Sequence, residues 1–331
     1  MDKKVAFLGI DTSCYTTSCA LVGEEGELLA ESRRLLKVKP GRRGLQQSEM
    51  VFQHTRALPE LIETLPLDAY AIEGIGVSAF PRREEDSYMP AFLVGHGMGR
   101  SLSHALQVPL YEFSHQENHI LAAVRDLGGL LQEPFYSLHV SGGTTELLYC
   151  EPQGDELFTA TLISGSIDLH GGQFVDRMGV ALGLQFPAGP HLETLVRNAY
   201  PHAKRWEEAP LDNPLPVAVK AGQMSFGGPC SEAVRRLERG EYEPAELGLA
   251  VFRCISQSIV KFLTYYNKQK RAEHLIAVGG VMCNYYLRQA LCDYGVKEGV
   301  QLHFADPKYS SDNATGVAYG ASLFNKKAIL P

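Results

Sequence analysis

Two histidines four positions apart, His115 and His119, stand in the run Phe113-Ser114-His115-Gln116-Glu117-Asn118-His119-Ile120-Leu121-Ala122-Ala123, where a strand-like apolar stretch hands over to a helix-like one. On a helix, residues i and i+4 share a face with Cβ atoms about 5–6 Å apart, so both imidazoles could grip one cation. With 11 histidines in 331 residues such a pair arises readily by chance, and spacing alone leaves both metal binding and an ordinary helix face open. The zinc-protease pattern H-E-x-x-H is absent, because Gln116 stands second and Glu117 falls in the wrong place for that motif's general base.

Other stretches carry hydroxyls, carboxylates and glycines at turns. Gly9-Ile10-Asp11-Thr12-Ser13-Cys14 ends an apolar run with an acid and two hydroxyls, which could face a phosphate or its metal or form a plain polar hairpin turn. Ser141-Gly142-Gly143-Thr144-Thr145 is the better anion candidate, since glycines let backbone approach and Ser and Thr add donors. Phe186-Pro187-Ala188-Gly189-Pro190 is a rigid turn against which a ribose or base could lie. In Gly279-Gly280-Val281-Met282-Cys283-Asn284, a diglycine between strand and helix suits an adenosine against bare backbone, with Asn284 near sugar or base, or a close strand-to-helix crossover. Ser310-Ser311-Asp312-Asn313-Ala314 precedes the last helix, where Asp312 could simply be a cap.

The elements that must position these residues follow from apolar spacing. Strands are expected at 5–10, 16–22, 28–39, 72–77 and 108–113, with helices at 47–65 and 91–106 before the histidine helix. Gly95, Gly97 and Gly99 lie within the second of these helices and permit close packing rather than forming a phosphate loop. A second meander, 136–140, 146–150 and 156–164, repeats the opening plan of strand, hydroxyl-bearing turn and strand. Asp168 to Met178 leads into a helix, 200–230 reads as an irregular excursion, and a long helix follows at 245–267. A strand at 275–278 and a helix at 315–326 complete the chain. Two domains with the same opening resemble the actin, Hsp70 and sugar-kinase superfamily, an α/β fold.

The length suits two domains, and 45% hydrophobic with 21% charged residues describes an ordinary globular chain. A net charge of -7 argues against a surface that wraps nucleic acid everywhere, although Arg33, Arg34, Lys37, Lys39, Arg42 and Arg43 could form a local phosphate-backbone contact. No apolar stretch of about 18 residues and no leader pattern stand out, so a cytoplasmic protein without a membrane role is expected. The seven cysteines form no C-x-x-C pair and are read as reduced structural residues, Cys14 being the least secure because of its neighbours.

Taken in order, Gly9 to Cys14, the His115 and His119 pair, Val140-Ser141-Gly142-Gly143, Phe174-Val175-Asp176-Arg177, Pro187-Ala188-Gly189-Pro190, Gly279-Gly280-Val281 with Asn284, and Asp312-Asn313 resemble the tRNA threonylcarbamoyladenosine synthase (TsaD) family along nearly the whole chain. The resemblance implies an actin-like ATPase (ASKHA) fold of two RNase H-like domains with a nucleotide cleft. The expected N-terminal domain is 1–130, with the helix at 309–331 packing back on it, and the C-terminal domain is 131–308. It also implies one divalent metal ion, iron or zinc, on His115, His119 and Asp312, with Asp11 beside them in catalysis. An adenine nucleotide, threonylcarbamoyl adenylate or ATP, is expected at His139, Val140, Ser141, Gly142, Gly143, Asp176, Gly189, Gly280 and Asn284. The implied reaction transfers the threonylcarbamoyl group to the exocyclic amine of the tRNA adenosine next to the anticodon, together with protein partners of the threonylcarbamoylation system.

The chain departs from the family at Tyr15-Thr16-Thr17, where relatives carry Asp-Glu-Thr, and at Phe80 to Pro90, where they carry a shorter Gly-Pro-Gly loop. It also has Thr144 for a histidine and Met224-Ser225-Phe226-Gly227-Gly228-Pro229 for a Ser-Phe-Ser-Gly-Leu-Lys segment. Such a pattern is that of a divergent paralogue. The alternatives are a carbamoyl-type transferase or ATPase acting on another acceptor, and a non-catalytic partner subunit that binds nucleotide.

Overall fold

The computed structural model describes residues 3–38, 45–125, 127, 130–154, 157–203, 208–309 and 312–329. Lys39, Arg42 and Arg43, the boundary expected at Gly128-Gly129, Asp155 and Glu156, and Ser310-Ser311 lie outside the described residues. The chain divides into two compact units, residues 1–131, 153–158 and 308–331, and residues 132–152 and 159–307.

The first unit opens with β1 (Lys4–Asp11), β2 (Thr16–Gly23) and β3 (Leu28–Leu35), continues through α1 (Gln47–Glu63), β4 (Tyr70–Phe80), α2 (Phe92–Leu106) and β5 (Leu110–Ser114), and enters α3 (His115–Val124). Its sheet runs β3-β2-β1-β4-β5. β1 pairs antiparallel with β2 and parallel with β4, and β4 pairs parallel with β5. Residues 6 to 11 of β1 are all buried, as expected of a central strand covered on both faces.

The second unit contains β6 (Phe135–Val140), β7 (Thr145–Pro152), β8 (Phe158–Gly165), α4 (Gly171–Ala181), α5 (Gly189–Ala199), β9 (Val219–Lys220), β10 (Gln223–Met224), α6 (Gly227–Glu238), α7 (Pro244–Asn267), β11 (His274–Val278), α8 (Tyr285–Glu298) and β12 (Gln301–Phe304). Its main sheet runs β12-β11-β6-β7-β8. β6 pairs antiparallel with β7 and parallel with β11, and β11 pairs parallel with β12. With strands numbered within each five-stranded sheet, the two sheets share one order, 3-2-1-4-5. Helix α7 is long and apolar enough to cross a membrane, yet 72% of its most apolar window is buried, the profile of a core helix.

Several expectations are corrected. The third strand ends at Leu35 rather than 39, because Leu36 N turns to Tyr15 O and Lys37 exchanges bonds with the Gln53 amide on α1. The stretch 200–230 holds the β9–β10 hairpin and the start of α6. The hairpin turn uses Ala221 (φ 50) and Gly222 (φ 76), a two-residue pattern of positive φ that an alanine conceals in the sequence. After β11 the chain makes a 3-10 turn at Gly280–Cys283 before α8 begins, with Asn284 as its N-cap. The edge strand β12 was not expected.

The helix α9 (Thr315–Ile329) packs on β1, β2, β4, β5 and α3, completing the first unit. It lies directly on two strand glycines: a Cβ at Gly9 would fall 2.2 Å from Ala314 O, and one at Gly76 2.0 Å from Val317 O. Gly316 meets α3 in the same way, a Cβ there falling 2.0 Å from Asn118 O. On α2, Gly95 and Gly99 face the sheet with Thr12 and Val77 too near for a methyl group, whereas Gly97 has nothing within 4 Å. We expect Gly76→Ala to lower stability by about 1–3 kcal/mol through overpacking. Gly97→Ala, in an open helix position, should be neutral or slightly stabilising. Denaturant titrations followed by circular dichroism check both, and an unchanged midpoint for Gly76→Ala would contradict the close seating of α9.

Candidate functional site

In the first unit the carboxyl ends of the parallel strands β1, β4 and β5 lie at one edge, as their register shows in Ile10↔Val77 and Ser78↔Phe113. Loops at such an edge are where open α/β sheets bind ligands. β5 runs straight into α3 through a capping box: Ser114 Oγ accepts from Glu117 N (3.1 Å), and Glu117 Oε2 accepts from Ser114 N (2.6 Å). Glu117 also takes the Arg83 guanidinium at 2.7 Å, so it is a capping and loop-holding residue. The box fixes His115 at the first helical position and His119 one turn on. Phe92 meets the His115 ring edge-on at 6.1 Å.

His115 Nε2 and His119 Nε2 are 3.2 Å apart, and each lies 3.6 Å from Asp312 Oδ1. Asp312 reaches them from the segment before α9, where Tyr15 N donates to its Oδ2 at 3.3 Å. The start of α9 is held by Asn313 instead, whose Oδ1 accepts from Thr315 N at 3.0 Å, so Asp312 is not the cap. Asp11 is fully buried: its Oδ1 accepts from Ser13 N (2.8 Å) and its Oδ2 from Asn118 Nδ2 (3.1 Å).

Burial, then the His119 charge, pushes the His115 imidazole down to about 4 against the pull of Asp312. Burial alone would raise the Asp312 carboxyl, but the His119 hydrogen bond and the two histidine charges bring it down to about 2. Burial and the neighbouring Asp312 push Asp11 up to about 7. The three donors fit a divalent cation. A zinc-type ion with ligands at about 2.0–2.1 Å spaces them about 3.3 Å apart in a tetrahedron, near the distances found here. Imidazoles and a carboxylate are also the donor types such ions take.

Residues that sequence reasoning missed complete this edge. Asn118 donates to both Asp11 Oδ2 and Asn313 O (2.7 Å), and its Oδ1 accepts from Val317 N (3.0 Å), tying α3, β1 and α9 together. The signal was present, because positions 115, 118 and 119 form an i, i+3, i+4 face. His54, fully buried on the apolar face of α1 beside Met50, Ala57, Leu58 and Leu61, bonds Cys14 O and Thr17 Oγ1. A histidine inside an apolar stripe marks such a partner. Cys14, set aside as a structural residue, has its Sγ within 4.8 Å of ligand atoms of both His115 and Asp312. The basic run contributes less, since Arg33 pairs with Glu31 (3.4 Å) and Lys308 O (2.8 Å), and Arg34 with Glu60 (2.5 Å).

In the second unit the same edge gathers most of the expected nucleotide residues. His139 and Val140 end β6 beside Val278 of β11, and both are buried. The loop Ser141 to Thr144 closes on itself through Ser141 N to Thr144 O (2.8 Å) and Thr144 N to Ser141 Oγ (3.1 Å). It rests on the start of α4, where a Cβ at Gly172 would meet Ser141 O at 2.5 Å. Gly279 (φ 97) lies so close to Val140 that a Cβ would fall 2.4 Å from its carbonyl oxygen. These packed glycines serve the fold, whereas Gly142, Gly143 and Gly280 have nothing within 4 Å of a would-be Cβ and leave backbone open to a ligand. Asp176 Oδ1 accepts from Ala188 N (2.7 Å), and burial pushes its carboxyl up. Gly189 begins α5, 3.7 Å from Val175 Cγ1 by its would-be Cβ. The Asn284 amide is engaged within the protein, donating to Glu193 Oε2 (2.8 Å) and accepting from Leu287 N (3.1 Å).

Comparison with known proteins agrees with this architecture. The chain is similar over 97–99% of its length to three solved structures: component A of (R)-2-hydroxyglutaryl-CoA dehydratase from Acidaminococcus fermentans, a ROK family glucokinase from Streptomyces griseus in complex with glucose and AMPPNP, and HypF from T. kodakarensis. Identities are 17%, 10% and 11%, TM-scores 0.54, 0.52 and 0.56, and the match covers 99%, 99% and 48% of those chains. At such identities the likeness establishes the fold, that of the actin-like ATPases. Residues 54–319, most of the chain, match the family described as TsaD, tRNA N6-adenosine threonylcarbamoyltransferase. A threonylcarbamoyltransferase-type sequence on an actin-like ATPase fold thus places the chain in the TsaD family.

Proposed function

We propose that this chain transfers a threonylcarbamoyl group from threonylcarbamoyl adenylate to the exocyclic amine of the tRNA adenosine beside the anticodon, with a divalent metal ion. The observation that carries the reading is the meeting of His115, His119 and Asp312 ligand atoms within 3.6 Å at a strand edge of a TsaD-family chain. His115, His119 and Asp312 hold the ion, and Phe92 and the capping box keep the imidazole faces in place. When bound, the ion supplies Lewis acidity and a point of orientation for the donor. Asp11, with both oxygens engaged by Ser13 and Asn118, acts as a positioning residue for the turn that faces the ligands.

The nucleotide portion of the donor rests on open backbone at Gly142, Gly143 and Gly280. Ser141 shapes that loop, the end of β6 at His139 and Val140 backs it, and Asp176 fixes the segment that carries Gly189. The AMPPNP-bound glucokinase of the same fold supports an adenine nucleotide as ligand class. Positioning donor and amine together, rather than a covalent protein intermediate, accounts for the rate.

One observation favours a second reading, in which metal and nucleotide are kept and the acceptor is not the usual tRNA. Glu84, Glu85 and Asp86 are exposed in the loop anchored to α3 by Arg83, and Arg33 and Arg34 are held in ion pairs. An acidic loop repels a phosphate backbone.

Incubating the protein with iron or zinc, threonylcarbamoyl adenylate, unmodified tRNA and partner proteins should yield the modified nucleoside by mass spectrometry. Absence of product would remove the tRNA reading and leave the second. His119→Ala should lose bound metal in elemental analysis, and unchanged metal content would refute the ligand set. Gly142→Val should weaken adenine-nucleotide binding at least about tenfold, as a side chain fills space meant for ligand. It should leave the circular dichroism melt unchanged because nothing packs within 4 Å of that position.

A further inference from the structure

The proposal rests on the metal reading above and concerns its soft side. We propose that Cys14 Sγ is a further ligand to the ion held by His115 and Asp312, binding as a thiolate. The sulfur, a ring nitrogen of His115 and a carboxylate oxygen of Asp312 all lie within 4.8 Å of one another. The His115–Asp312 edge is therefore shared by two ligand sets, one closed by His119 and the other by Cys14.

The turn that carries Cys14 is built rather than loose. Ser13 N is held by Asp11 Oδ1 (2.8 Å), and Tyr15 N by Asp312 Oδ2 (3.3 Å), so the flanking amides are both fixed. The Cys14 carbonyl is held by His54 Nε2 at 3.0 Å. A carbonyl only accepts, so Nε2 carries the hydrogen, and Nδ1 shares a hydrogen bond with Thr17 Oγ1 at 2.8 Å. A fully buried histidine on α1, held at both ring nitrogens, thus helps to place residue 14. Such a partner, orienting a residue beside a ligand set without itself binding, is the usual support for a metal donor.

Coordination breaks the S–H bond, passes the proton to solvent and forms a sulfur–metal bond, with no change in oxidation state. A thiolate beside an imidazole and a carboxylate would favour zinc or ferrous iron over magnesium, calcium or manganese.

The test uses the full chain carrying Cys292→Ser, which removes an exposed thiol able to bind metal adventitiously. The protein is stripped with a chelator, reloaded with Co2+, and read by absorption and elemental analysis. One cobalt per chain, visible d–d bands and a near-ultraviolet sulfur-to-cobalt charge-transfer band are expected. Adding Cys14→Ser should abolish the charge-transfer band, keep the visible bands, and weaken Zn2+ affinity more than about tenfold in a competition titration. Bound cobalt with d–d bands but no charge-transfer band, or a band that survives Cys14→Ser, would overturn the proposal. Failure of the parent protein to bind cobalt at all would instead overturn the metal reading, and this proposal with it.

Discussion

The direct seating of α9 on β1 and β4 is the constraint on which the candidate site depends. Gly9 and Gly76 have no side chains, and the helix backbone takes their place within about one methyl group of the strands. That closeness sets the height at which α9 begins, and so where Asn313 and Asp312 stand relative to α3. Gly316 and Asn118 repeat the device between the two helices, with backbone replacing a side chain on one partner and an amide bonding across it. A shift of α9 by one methyl's width would carry Asp312 away from His115 and His119, although none of the three would have changed.

Each unit uses the same sheet in the same way. An antiparallel meander supplies a tight turn at the end of the first strand, and the parallel strands beside it end on the same edge. In the first unit this brings Asp11 and Cys14 to the histidine helix. In the second it brings Ser141 to Thr144 beside Gly279 and the start of α4. One topology therefore yields two different chemistries, carboxylate, imidazole and thiol in one case and bare backbone in the other. The difference lies in turn residues that contribute little to the cores around Leu8, Ile10 and Val77 or around Leu138, Phe174 and Ile255.

Much of this was legible in the sequence because the turns are written in residues with few alternatives. Asp-Thr-Ser, Ser-Gly-Gly and Gly-Gly after apolar runs mark strand ends whatever the surroundings, and the two main sheets follow from the runs themselves. That Asp312 would stand beside the two histidines followed only from the family resemblance, since a pair of histidines says nothing about a carboxylate far along the chain. Spacing put Asn118 on the histidine face and His54 in an apolar stripe, but their partners, like those of Cys14, are backbone atoms or residues of distant elements, which spacing does not name. The β9–β10 hairpin was hidden by Ala221, a residue whose type does not announce a positive φ. The edge strand β12 was hidden by its shortness, and the end of β3 by a side chain, Gln53, that draws the backbone away.

Asn118 and Asn313, bonded side chain to backbone, are 195 positions apart, and all of the second unit is made between them. A ribosome therefore releases the histidine helix long before the aspartate that faces it exists. During that interval the strands of the first unit exist without α9, the helix that covers β1 and β4 in the folded chain. The candidate ligand set is not complete until the intervening residues have been synthesised and α9 has docked. A truncated product would carry the two histidines without the aspartate that faces them.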